Sequence, residues 1–123
     1  MRRALCLVVA LAGCSAPDAV HRITVSTSHA APGGTLENGR MLEGTAMEIA
    51  VAAYTEETTF HDSRRVSRPI EITAGPPERL RVIKGAAPEL FILLAASPGP
   101  STLDVRVEGV SAHRDLMIEA QPP

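Results

Sequence analysis

Leu103, Val105 and Val107 alternate with Asp104, Arg106 and Glu108; Gly109 then breaks the run. Residues 113–120 return with Leu116 and Ile118 alternating against Asp115, Met117 and Glu119. A period of two puts apolar side chains on one face of a strand and polar ones on the other. Two such runs about a glycine predict an antiparallel hairpin with one wet face and one that must be covered. A hairpin alone is marginal in water. The rest of the chain has to supply a second layer.

Five further segments fit that demand. Residues 21–28 alternate Ile23 and Val25 against Thr24 and Ser26. Residues 45–56 set Met47, Ile49, Val51 and Ala53 against Glu48, Ala50, Ala52 and Tyr54. Their alanines suit a helix too, but the alternation and the exit through Thr55, Thr58 and Thr59 favour a strand. Residues 66–73 carry Val66, Ile70 and Ile72, with Pro69 suggesting an edge position or a strand start. Leu80 and Val82 alternate with Arg79, Arg81 and Ile83. Residues 90–96 form an apolar run between Pro88 and Pro98, fitting a central strand buried on both sides or a short helix opening at Pro88. Pro32-Gly33-Gly34, Asn38-Gly39, Gly75-Pro76-Pro77 and Pro98-Gly99 supply the turns. The expectation is an all-β fold: a single antiparallel β-sandwich of about seven strands.

The beginning of the chain has a different character. Arg2 and Arg3 precede an apolar run over residues 4–12. Nine residues of helix rise about 14 Å, roughly half of a ~30 Å hydrocarbon core. That is too short to span a bilayer and the right length for the apolar part of a signal peptide. The next residues, Leu11-Ala12-Gly13-Cys14, resemble the lipobox of bacterial lipoproteins at every position. The resemblance implies peptidase recognition through Leu11, Ala12 and Gly13, cleavage before Cys14, and a lipid on the Cys14 thiol, with palmitate among its acyl chains. Ser15, where an Asp tends to mark inner-membrane retention, resembles the outer-membrane class. Two readings compete. Ala10-Leu11-Ala12 is itself a cleavage pattern that would release a soluble protein, and Arg2-Arg3 hints at twin-arginine export without the rest of that motif. The resulting organisation is a signal peptide over 1–13, an acylated Cys14 with a tether over 14–20, and one domain over 21–120.

Cleavage there leaves 110 residues, enough for one domain. Arg2 and Arg3 leave with the signal, so twelve basic residues become ten against fourteen acidic ones, a formal −4. That balance argues against nucleic acid as a partner. Cys6 also leaves and Cys14 is acylated, so no intramolecular disulfide can form. Tyr54, Phe60 and Phe91 are the only aromatics, so the core must be aliphatic and no stacking platform for bases or sugars is available.

Chemistry-bearing side chains gather over residues 56–65: Glu56, Glu57, His61, Asp62 and Ser63. Consecutive His-Asp-Ser is not a triad, because triads are assembled across a fold. As a metal site, one His with scattered carboxylates lacks ligand spacing. An oxygen-rich calcium site at Glu56, Glu57, His61 and Asp62 is the alternative to a solvated loop. His113 opens the last strand, where a solvated side chain is expected. Pro32-Gly33-Gly34 is no phosphate loop, since the Lys and Ser/Thr that should follow are missing.

Residues 95–109, Ala-Ala-Ser-Pro-Gly-Pro-Ser-Thr-Leu-Asp-Val-Arg-Val-Glu-Gly, resemble the closing strands of bacterial immunoglobulin-like domains, where a Pro-Gly turn precedes a Leu-x-Val-x-Val-x-Gly strand. The likeness stretches over about residues 21–120. It departs in having no tryptophan, no inter-sheet disulfide and no repeat of the domain. It implies an immunoglobulin-like sandwich that acts by structural support or by binding another envelope protein, through loops such as 33–44 and 56–65. The expected protein is therefore a non-enzymatic component of the cell envelope, without cofactors, held to the outer membrane by the lipid on Cys14. The alternative is a module that binds calcium or polysaccharide through residues 56–65.

Overall fold

Every alternating segment forms a strand, and the inward side chains of all of them meet in one layer. A computed structural model describes residues 18–122. Its strands are β1 (Val20–Ala30), β2 (Arg40–Leu42), β3 (Ala46–Thr55), β4 (Arg65–Val66), β5 (Glu71–Gly75), β6 (Leu80–Lys84), β7 (Leu90–Ala95), β8 (Gly99–Val107) and β9 (Val110–Glu119). One sheet runs β1-β3-β7-β6, with β4 also paired to β3; the other runs β2-β9-β8-β5. All pairs are antiparallel except β2 with β9, which is parallel. The fold is all-β, two sheets face to face.

The alternation decides which side chains enter the core. Met47, Ile49, Val51 and Ala53 of β3 are buried, as are Leu103, Val105 and Val107 of β8 and Leu116 and Ile118 of β9. Leu80 and Leu93 complete the layer from β6 and β7. Each fully buried aliphatic side chain contributes about 1.5–3 kcal/mol through area removed from water.

Four expectations need correction. Among the described residues the strands number nine rather than about seven, because β2 and β4 are additional. The segment 66–73 is not one strand: Val66 lies in β4 against Ala53 of one sheet, while Ile72 lies in β5 against Val105 of the other. Pro69, with no N–H to give to either ladder, falls in the crossing between them. Residues 90–96 form a strand but not one buried on both sides: Phe91, Leu93 and Ala95 face the core, whereas Leu90, Ile92 and Leu94 are half-buried on an outer face that no layer covers among the described residues. The first strand also begins at Val20, inside the stretch expected to be tether.

The connection after β1 reads as a loop in the sequence, yet it closes the side of the sandwich. Leu36 is buried at 3% exposure and packs into the core. Its N–H donates to Thr27 Oγ1 at 2.8 Å, and that hydroxyl donates to Glu37 Oε1 at 2.7 Å. The Thr27 N–H donates to Glu37 Oε2 at 2.9 Å. Accepting bonds from the Thr27 hydroxyl and then from its N–H holds the Glu37 carboxyl below the ordinary carboxylate range. Across the core, the Met117 N–H donates to the Gly39 carbonyl at 2.8 Å, so the segment bonds both β1 and β9. Gly34 makes this path possible, since a Cβ there would sit 2.1 Å from the Arg40 carbonyl oxygen. Backbone blocks that position, so Gly34→Ala should cost about 1–3 kcal/mol, in the range of forced overpacking. Chemical denaturation checks this: a midpoint equal to that of the wild type would refute the close approach.

Candidate functional site

The end of the sandwich where β1 begins gathers the most chemistry. Val20 pairs with Thr55, so the start of β1 and the exit from β3 lie together. Residues 56–64 leave Thr55 and return into β4. The Thr55 N–H donates to the Arg64 carbonyl at 2.9 Å, and the Arg64 N–H donates to Thr55 Oγ1 at 3.0 Å. Ser63 Oγ donates to the Thr55 carbonyl at 2.7 Å. Farther out, the Thr58 N–H donates to the His61 carbonyl at 2.7 Å, and Thr58 Oγ1 accepts from the N–H groups of Phe60 and His61. This is a side-chain-capped turn of the kind Thr supports. Phe60 lies within it, 88% exposed.

Glu56, Glu57, His61 and Asp62 are all exposed on this loop. Among the described residues, no three His, Cys, Asp or Glu side chains are placed to hold a metal ion, and these four are not drawn together. Ser63 is turned to the backbone of Thr55, so the loop forms no nucleophile–base pair with it.

A second feature of this end ties the two sheets. Arg68, in the crossing between β4 and β5, donates from Nε to Glu108 Oε2 at 3.1 Å and from Nη2 to the Asp18 carbonyl at 2.7 Å. The other Glu108 oxygen accepts from the Val20 N–H at 3.2 Å. Glu108 has a φ of 56°, in the left-handed region that non-glycine residues rarely adopt. The same residue therefore both occupies an unfavourable turn position and fastens the start of β1 to the β8–β9 turn. Beside Arg68, a cleft of about 310 Å³ opens between the sheets, lined by Val51, Ala53, Val66, Ile70 and Val107 with Arg65 and Glu89. Its walls combine the buried Val51, Ala53 and Val107 with Val66 and Ile70, which are half-buried where the chain changes sheets.

His113 has closer partners than a solvated position suggests. On the outer face of β8 and β9, its Nδ1 is 2.7 Å from Asp104 Oδ1 and its Nε2 is 2.9 Å from Asp115 Oδ1. A neutral imidazole has one N–H and can donate to only one of them; the imidazolium donates to both. The hydrogen bond to Asp104, and then that to Asp115, raises the His113 pKa above its ordinary value. The group remains about half exposed, as expected for its place on a wet face.

Leu11, Ala12, Gly13 and Cys14 lie outside the described residues. The pairing of Arg68 is not readable from the sequence, because its partner Glu108 is 40 positions distant in another element; His113 lies two positions from Asp115 and opposite Asp104 across the β8–β9 hairpin. Phe60 carries a sequence signal: it is one of three aromatics and sits in an otherwise polar loop. Neither a protein-family model nor a curated protein sequence matches this chain.

Two measurements test this geometry. Arg68→Ala should lower stability by about 1 kcal/mol, the upper range for a partly exposed ion pair. For a domain of this size that corresponds to a melting-temperature loss of about 4–8 °C, and an unchanged midpoint would remove the clasp. For His113 the folded pKa exceeds the unfolded one, so any stabilisation is present below the unfolded value and lost as pH rises through the folded one. In an NMR titration His113 should titrate above an ordinary histidine, and Asp104→Asn should move it down. Identical titration curves for the two proteins would count against the pairing.

Proposed function

We propose that this chain is an envelope lipoprotein, cut between Gly13 and Cys14, lipidated on Cys14 and carrying one immunoglobulin-like domain. Its role is structural or protein-binding, without catalysis. The observation that carries the anchored arrangement is where the fold starts. Asp18 and Val20 are fastened through Arg68 and Glu108 to the opposite sheet, only a few residues beyond Cys14. A lipid there would hold a defined end of the domain at the membrane, and two or three acyl chains suffice for stable attachment.

Support for the immunoglobulin-like assignment comes from strand order. Setting aside β2 and β4, the seven remaining strands in chain order take the letters A to G. One sheet then reads A-B-E-D and the other C-F-G, the arrangement of that sandwich class. Support for protein binding comes from the outer face of the first sheet. Ile83 is 51% exposed there and pairs with the half-buried Ile92, beside Leu94. Adjoining apolar side chains on a wet face mark an interaction surface more often than scattered ones do. The envelope partner is a protein that covers this face.

Mass spectrometry of the N-terminal peptide, with membrane fractionation, tests the anchor. The expected result is a lipid-bearing Cys14 in the membrane fraction, and Cys14→Ser should move the protein to the soluble fraction. A mature N-terminus at Gly13 would overturn the reading. For the partner, a photoreactive residue at position 83 should crosslink one envelope protein, whereas the same group at exposed Glu78 should not; equal crosslinking from both would remove this face as the binding surface.

A further inference from the structure

We infer that the loop carrying Phe60 is a second, direct contact with the lipid surface, so that the domain stands on its membrane through two points rather than one. The inference rests on the lipid at Cys14 proposed above and adds an orientation to it. Three observations carry it. The first is exposure: Phe60 is 88% exposed, the most exposed of the large apolar side chains among the described residues, and it sits in a turn capped by Thr58 rather than folded back on the domain. The second is place. Val20 pairs with Thr55, and Arg68 bonds the Asp18 carbonyl, so the loop issues from the same end of the sandwich as the chain leading to Cys14.

The third is reach. Asp18 is four positions along the chain from Cys14, and four extended steps span at most about 14 Å. Phe60 is five positions along the chain from Thr55, with a limit of about 18 Å. A domain held that closely brings Phe60 within a loop's length of the surface in which the lipid sits. One phenylalanine cannot hold a cleaved chain of formal charge −4 on a membrane from free solution. Linked through the anchor, its insertion becomes an intramolecular event at high effective concentration.

The neighbours limit the depth. Glu56, Glu57 and Asp62 flank the turn and are exposed, as are Arg64 and Arg65. Carboxylates do not enter hydrocarbon without cost, so they stay among the headgroups while the ring alone reaches the acyl boundary. The two arginines at the base of the loop face lipid phosphates, which guanidinium binds well. Phenylalanine on the apolar side of interfacial segments is buried to this headgroup–acyl boundary.

The chain contains no tryptophan, so Phe60→Trp gives a single reporter at the loop and Glu78→Trp a control at the far end. Glu78 is exposed, and its side chain makes no hydrogen bond among the described residues. Each variant is purified from membranes as the full mature protein. The lipid on Cys14 is verified by mass, and the protein is reconstituted into vesicles of phosphatidylethanolamine and phosphatidylglycerol, with and without brominated acyl chains.

The expected result for Phe60→Trp is a shift of indole emission to shorter wavelength with quenching by brominated lipid, and neither change for the control. Lipidated Phe60→Trp protein whose emission stays unshifted and unquenched overturns the second contact and leaves the anchor standing. Absence of lipid on Cys14 overturns the anchor and the inference with it. Equal quenching of both reporters overturns the end-on orientation. A shift seen in native membranes but not in pure lipid assigns Phe60 to a protein partner, and the lipid contact is then wrong.

Discussion

One layer of aliphatic side chains between two sheets holds the rest of the molecule in place. Nothing covalent joins the sheets, because the described residues contain no cysteine. Among the described residues Phe91 is the one aromatic side chain in that layer: Phe60 is outside and Tyr54 lies on an outer face under Arg22, 4.2 Å from ring centroid to guanidinium carbon. Ile49, Leu80, Leu93, Leu103 and Val107, each fully buried, close most of the interior together with Met41 and Met47. A layer one side chain thick works only if both sheets keep register. The strict alternation of β3 and β8 enforces that.

The sides of such a sandwich are its weak places, and this chain closes them by different means. Between β1 and β9, a connection with the look of a polar loop sends Leu36 inward and bonds Thr27 on one side and Met117 on the other. At the end where β1 begins, Arg68 and Glu108 bridge the sheets with charge instead of packing. Where the chain changes sheets between β4 and β5, closure is incomplete and a cleft remains. The outer face of the first sheet is left apolar along β6 and β7, which an isolated domain does not require.

How much of this is legible in residues 1–123 depends on length scale. Period two is readable over eight or more residues, so β1, β3, β8 and β9 are visible, and with them the all-β class. β2 and β4 have three and two residues. No period can show over so few, and both exist because a neighbouring strand offers free backbone groups. The segment 66–73 looks continuous because Val66, Ile70 and Ile72 are all apolar; only tertiary pairing reveals that Val66 and Ile72 serve opposite sheets. Residues 90–96 look doubly buried because apolar composition does not report whether a covering layer exists. At the candidate site, the loop 56–65 is visible as a cluster of polar types, but the feature that distinguishes it is the exposed Phe60 among them. Leu11 to Cys14 carry the most specific motif in the chain and lie outside the described residues.

The pairing of β1 has a mechanical consequence. The strand runs from Val20 to Ala30, bonded along its length to β3, which runs the opposite way from Ala46 to Thr55. A pull on Asp18 away from the domain acts along the strand axis. Backbone hydrogen bonds of an antiparallel pair lie across that axis, so the load shears many of them together instead of peeling them one at a time. Arg68 and Glu108 sit at the point where the pull enters and spread part of it to the second sheet. A domain tethered by its first strand in this geometry yields late under tension, a useful property for anything fixed to a surface and gripped from the other side.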